Sequence, residues 1–278
     1  MPRRLLDAHS LLVVDFDDTD KVPLYAIISH ISGFPNNWQE FLHQEVFDDQ
    51  TEIEEQSEYS KLRKACSVST QLGIRYLWID TCNDQRENDG FTQLRYAYYQ
   101  NSEVCLVYLD DISEEMSDYW YRSRWFKRGW TLLELVAPRE QFFFNGHWRL
   151  LESRRLLAEG ISATIGLGQN ILADAPPISN VTVEERLRWV QLVSRTSLKP
   201  HDTVYCLMGV LEVEMEVNYD EPAEKTFSTF QEKFIQTHPH VPIPLVLEFL
   251  SWRCFLAAGY PVPPISWPSR ESNVSISL

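Results

Sequence analysis

The sequence predicts an α/β protein: an open, doubly wound parallel sheet flanked by helices, followed by a mainly helical extension. Three observations predict it. Short apolar runs recur at 24–30, 76–80, 104–109 and 141–144, and they are continuous rather than alternating. Continuous apolar strands are buried on both faces, as parallel strands are when helices cover each side. Helical stripes separate those runs, so the chain reads as successive βαβ units. After residue 150 strand signals weaken and helical periodicity takes over.

The elements follow in order. Leu24 to His30 is a buried strand, and residues 31 to 57 read as a long loop with Gly33, Pro35 and an acidic stretch. Ser57 to Leu72 carries Leu62, Ala65, Cys66, Ser69 and Leu72 on one helical face, and Gly73 is placed to end that helix. Tyr76 to Asp80 is the second strand, Phe91 to Asn101 a helix, and Val104 to Leu109 the third strand. Arg122 to Ala137 places Phe126, Trp130, Leu133 and Ala137 at spacings of four, three and four, a helical stripe that Pro138 stops. Gln141 to Phe144 is the fourth strand. Helices are then expected at 183–196, 203–210, 223–237 and 245–258, with Pro176 and Pro177 marking a connection. The domain division is 1–150 for the α/β core, 151–240 for the helical extension and 241–278 for a Pro-rich tail. In a doubly wound sheet the site lies at the carboxyl ends of the strands. That places His30 to Gly33, Asp80 to Asp84 and the residues after Leu109 along one edge.

Composition narrows the function. Across 278 residues, 25 Lys and Arg face 40 Asp and Glu, a net charge of −15. Phosphate neutralisation needs clustered cations, so nucleic-acid coating is excluded, as is docking on an anionic membrane. The acidity is local: residues 45–58 hold seven acids, 110–118 five and 212–224 six, with no Lys or Arg among them. The segment around Glu134 is instead basic, with Arg122, Arg124, Lys127, Arg128 and Arg139. No apolar stretch suits a secretory leader or a bilayer span. The five cysteines are odd in number and far apart, which fits reduced thiols in a cytoplasmic protein. No Cys pair has zinc-ligand spacing, and His238 and His240 read as loop residues around a proline, so no metal is expected.

No P-loop, Gly-x-Gly-x-x-Gly, Gly-x-Ser-x-Gly or His-Glu-x-x-His pattern is present. The residue that stands out is Glu134, one helical turn after Trp130 and Thr131. An indole beside a carboxylate desolvates it and offers a flat stacking surface. Taken alone, a helix glutamate is more often salt-bridged than catalytic. Ser29, His30, Gly33, Asp80 and Asp84 sit at strand ends, where they either line a pocket or only shape the loops.

Four segments in order resemble the fungal heterokaryon-incompatibility (HET) domain. They are Tyr25 to His30, Tyr76 to Cys82, Val104 to Leu109, and Ser123 to Pro138 with its Gly129-Trp130-Thr131-Leu132-Leu133-Glu134 centre. The stretches 186–189, 201–209 and 225–232 resemble the downstream part of basidiomycete members, and the likeness covers roughly residues 1 to 240. The resemblance implies a role in non-self recognition and programmed cell death, and a TIR-like, flavodoxin-like sheet. Catalytic TIR domains cleave NAD+ through a glutamate in a Ser-x-Trp-Cys-x-x-Glu-Leu pattern. Trp130 to Leu135 is similar to its end, with Thr131 in place of Cys. It implies Glu134 as the catalytic residue, while Ser29, His30, Gly33, Asp80 and Asp84 are pocket candidates by their place at strand ends. Trp130 would stack on a ligand ring, and Arg124 and Lys127 would hold the pyrophosphate. NAD+ or a related nucleotide is then the substrate, with no prosthetic group, and self-association or other signalling domains are the implied partners. Ser29-His30-Ile31-Ser32-Gly33 lacks the Trp usual in the first motif, and Cys82-Asn83-Asp84 is one residue short of the second. The alternatives are a catalytically silent HET module that signals by association, and a nucleotide sensor without hydrolysis.

Overall fold

A computed structural model describes residues 2–17, 21–31, 57–80, 88–192 and 199–250. Among them the strands are β1 (Arg4–Asp7), β2 (Val13–Asp15), β3 (Tyr25–Ser29), β4 (Tyr76–Trp78), β5 (Val104–Leu109), β6 (Gln141–Asn145) and β7 (Leu150–Ser153). They form one sheet in the order β2-β1-β4-β3-β5-β6-β7. The four strands expected from sequence, β3 to β6, pair in parallel as β4-β3-β5-β6. Their sequential order is therefore second, first, third, fourth, the start of the flavodoxin-type winding.

The sheet is mixed rather than purely parallel. β1 pairs antiparallel with β2 and β4, and β7 pairs antiparallel with β6. These edge strands of three or four residues are too short to show a period, and β7 exposes Leu150.

Alternation along the central strands decides what each face holds. Ala26, Ile28, Leu77, Leu106 and Tyr108 face one side, against Leu62, Ala65 and Cys66 of α1 (Ser57–Gln71). Gly73 ends the first helix in the left-handed region at φ 77, where a Cβ would be strained. Tyr25, Ile27, Trp78, Cys105 and Val107 face the other side. There they meet α2 (Asn88–Gln100), α3 (Thr131–Val136), α4 (Arg154–Ile165), α5 (Gln169–Asp174), α6 (Val183–Leu192), α7 (Asp202–Tyr205), α8 (Ala223–Thr237) and α9 (Ile243–Phe249). The apolar core on this face is continuous from Leu5 to Phe230, Phe234 and Leu250. Burial pushes the Cys66 thiol up to about 12, helped by nearby Asp7, so it is an inert core group. No helix of the described residues is long and apolar enough to cross a membrane.

Two expected helices differ. The stripe over 122–137 is not one helix: 3₁₀ turns at Ser117–Arg122 and Arg124–Lys127 precede an extended Arg128 at ψ 147, and α3 starts only at Thr131. Ser123 forces the restart by accepting from Trp125 N at 3.1 Å and donating to Asp111 Oδ1 at 2.6 Å. The helix expected over 203–210 shortens to α7, and turns carry the chain to Glu212 at φ 51. Helices α4 and α5 lie within the expected helical extension, at positions where no individual helix is assigned from sequence. Residues 193–196 and 251–258, expected as helix ends, lie outside the described residues, as do most of the expected 31–57 loop and the tail.

The extension also sets the position of α2. A Cβ on Gly209 would lie 2.2 Å from Tyr96 Cβ, so only glycine permits this approach, one residue from Arg95.

At the other edge Asp7 ties the β1–β2 turn to β4. Its carboxylate accepts from Arg75 at 2.6 and 2.9 Å and from the amides of His9 and Ser10. Burial alone would raise its pKa; the hydrogen bonds from Arg75, His9 and Ser10 outweigh burial and hold it below the usual carboxylate range. A depressed folded pKa stabilises above the unfolded value of about 3.9 and stops doing so as pH falls through the folded value. Asp7→Asn should therefore lower the urea midpoint at pH 7, and the gap from the parent should narrow as the pH drops below about 4. A gap that does not depend on pH would refute the assignment.

Candidate functional site

Alternation along β3 aims Ser29, with Tyr25 and Ile27, at the face that carries α2 and α3. Ser29 is the last residue of the strand and fully buried. Its hydroxyl donates to Glu134 Oε2 in a short hydrogen bond and accepts from Trp125 Nε1 at 2.7 Å. Arg95 Nη2 meets the other oxygen, Glu134 Oε1, at 2.7 Å. The Glu134 side chain is 3% exposed and that of Arg95 14%. The guanidinium lies 4.6 Å over the Trp130 ring centroid, so Arg95 sits between an indole and a carboxylate.

Local sequence explains this geometry. The Thr131 hydroxyl reaches the carbonyls of Trp125 and Arg128 at 2.7 and 2.8 Å, fixing the turn that delivers α3. Thr131, which stands where the TIR-type pattern has Cys, is thus a backbone clamp. Glu134 N bonds Trp130 O at 3.3 Å, and its own carbonyl accepts from Gln141 Nε2 on β6 at 2.9 Å. The α2 helix is pinned to β3 by Tyr25 Oη on Tyr98 O at 2.6 Å and Tyr99 Oη on Ile28 O at 3.1 Å. Burial opposes the charge on Arg95, but Glu134, with Tyr99 and Asp80, more than compensates and holds its pKa above the ordinary value. Burial, with the Glu134 charge beside it, pushes the Tyr99 phenol well above 10.

Of the residues singled out in the sequence, Ser29, Trp130 and Glu134 come together. His30 Nε2 meets Asp80 Oδ1 at 3.2 Å beside them, joining the ends of β3 and β4. Arg128 donates to the Ile31 carbonyl in a short bond, tying the chain leaving β3 to the turn before α3. Arg124 is 64% exposed and faces Asp110 and Asp111 at the end of β5, while Lys127 is exposed. Gly33 and Asp84 lie outside the described residues. Trp130 stands one helical turn before Glu134 as expected, its carbonyl accepting from Glu134 N at 3.3 Å, and the Arg95 guanidinium lies over its ring. Among the described residues no cluster of His, Cys, Asp and Glu could hold a metal.

Sequence reasoning missed Arg95 and the hydrogen-bonding role of Trp125. A signal for Arg95 exists: it lies three and four residues before Tyr98 and Tyr99, on the buried stripe of α2. An arginine on an apolar stripe needs a buried partner.

Over 228 residues the chain is 29% identical to the vegetative incompatibility protein HET-E-1 of Podospora anserina. The chain is similar to an incompatibility protein. The match covers 77% of this chain and 16% of HET-E-1, so the chain corresponds to a small part of that relative. It agrees in kind with the HET resemblance of the four strand and helix motifs. No family model matches the chain, and no solved structure matches it.

Proposed function

We propose that this chain is a heterokaryon-incompatibility signalling domain that cleaves the nicotinamide–ribose bond of NAD+, with Glu134 as the catalytic residue. The observation that carries this reading is the buried Glu134 carboxylate, held by Ser29 and Arg95 at the carboxyl edge of the parallel strands. Similarity to HET-E-1 supports the incompatibility role. In the reaction the C–N bond breaks and its electron pair goes to the pyridinium nitrogen, so nicotinamide leaves neutral. Positive charge develops on the ribose, as in glycoside hydrolysis, and a fixed carboxylate stabilises it. Water adds to that carbon and loses its proton, giving ADP-ribose. Ser29 and Trp125 orient the carboxylate. His30 and Asp80 flank the pocket, and Trp130 supplies an aromatic face. Arg124 and Lys127 approach the pyrophosphate, where Arg124 exchanges its contacts with Asp110 and Asp111 for phosphate. The activity belongs to the cytoplasm and rises on self-association or recruitment by other signalling domains.

A second reading is a silent module that signals by association alone. It is favoured by one observation: both Glu134 oxygens already have partners and its side chain is 3% exposed. Incubating the purified chain with NAD+, dilute and concentrated, separates the two. Nicotinamide release that Glu134→Ala abolishes supports hydrolysis. No release even from concentrated protein overturns it in favour of the silent module.

A further inference from the structure

The Glu134 side chain is 3% exposed, so a ligand reaches its carboxylate only where one of the groups that cover it, Ser29 or Arg95, moves away. Ser29 cannot: it is fully buried at the end of a central strand and is also held by Trp125 Nε1 at 2.7 Å. Arg95 can, because it is a long side chain on a helix with 14% of its surface exposed. Its guanidinium is a flat cation, stacked 4.6 Å over the Trp130 ring and paired with Glu134 Oε1 at 2.7 Å. Trp130 itself is only partly buried.

We propose that Arg95 is a built-in occupant of the ligand slot. Its guanidinium fills the place between the Trp130 ring and the Glu134 carboxylate that a flat cationic ligand group takes, so the site is self-inhibited until Arg95 swings out. The inference rests on the reading of Glu134 as the residue that meets the ligand. Two consequences follow from charge. Moving Arg95 away strands a buried carboxylate, so only a ligand bringing its own positive charge can replace it. The slot therefore selects a pyridinium over its neutral reduced ring. The occupied state also taxes affinity by the fraction of time the slot is open. Any event that draws Arg95 or α2 outward raises that fraction without touching the reacting atoms.

The test uses the full chain and two probes that undergo no cleavage: 1-methylnicotinamide, a flat cation, and nicotinamide, its neutral analogue. Binding is read by quenching of Trp fluorescence, and folding by circular dichroism. Arg95→Met keeps the stem and removes the cation. It should tighten binding of 1-methylnicotinamide by about tenfold or more and leave nicotinamide unchanged. Arg95→Lys, a milder change that keeps a compact charge without the flat stacking face, should shift the same way by less. Adding Glu134→Gln should cancel the gain. Weaker or unchanged binding of the cation in both folded Arg95 variants overturns the proposal, and so does equal tightening for the neutral probe. If cation binding tightens while no variant releases nicotinamide from NAD+, the occupant stands and the hydrolase reading falls. If NAD+ is cleaved but Arg95→Met slows cleavage and loosens the cation, the hydrolase reading stands and the occupant falls.

Discussion

Glu134→Ala is expected to lose activity and stability together, and the two losses should separate in a double-mutant cycle. Removing the carboxylate should reduce nicotinamide release by about 10²–10³-fold or more, the usual effect of deleting a preorganised electrostatic group. The same change removes the main counter-charge of the buried Arg95 guanidinium, leaving only Asp80 and Tyr99 beside it. Breaking one half of a buried ion pair costs about 3–5 kcal/mol, whereas replacing both halves with apolar groups is often close to neutral. Glu134→Ala combined with Arg95→Met should therefore recover most of the lost stability in urea unfolding and none of the activity. That divergence matters, because a residue that served only the fold would show both recovering together. A Glu134→Ala chain as stable as its parent would mean that the pair seen between α2 and α3 contributes nothing in solution.

The parallel part of the sheet was legible because its signal is long and redundant: four strands, each of several apolar residues, buried on both faces. The edge strands β1, β2 and β7 were not, since three or four residues carry no reliable period. Helix α4 was legible in principle. Ser153 caps it, Gly166 ends it in the left-handed region, and Ala158, Ile161 and Ile165 mark its buried face. The broken helix before Glu134 was misread for a different reason. Phe126, Trp130, Leu133 and Ala137 keep helical spacing while the backbone does not, because Ser123, Asp111 and Thr131 restart the turn with side-chain bonds that no periodicity encodes. Glu134 itself was readable from its motif. Its partners were not: Ser29 lies 105 residues away and Arg95 lies 39 away, on elements that only the sheet order brings together.

The second large effect is expected at Arg154, which bears on the same helix from below. The residue is 3% exposed and its side chain is held by backbone carbonyls: Leu135 at 2.5 Å, Arg139 at 2.8 Å, and Pro138 and Leu172 each at 3.0 Å. Burial lowers its pKa to about 10, partly offset by Cys105 and Glu140, so the guanidinium is still charged at neutral pH. Three of the carbonyls belong to the end of α3 and the chain just beyond it, where the helix leaves its acceptors unsatisfied and its dipole is negative. Arg154 thus does for the six-residue α3 what a C-cap does for longer helices, and that helix carries Glu134. Arg154→Met keeps the stem and removes every donor, leaving several buried carbonyls without partners. A loss of about 3–5 kcal/mol in urea unfolding is expected. Arg154→Lys should recover only part of it, because an ammonium cannot reach four carbonyls spread around a planar fork. The neighbouring Arg155 is the control. It is exposed and, among the described residues, bonds the Ala173 carbonyl alone, at 3.1 Å, so Arg155→Ala should change stability by no more than about 0.5 kcal/mol. Equal losses at 154 and 155 would show that the carbonyl cage does not hold α3. A large loss at 154 alone, with nicotinamide release falling in step, would show that the placement of Glu134 depends on an arginine on the helix that follows β7.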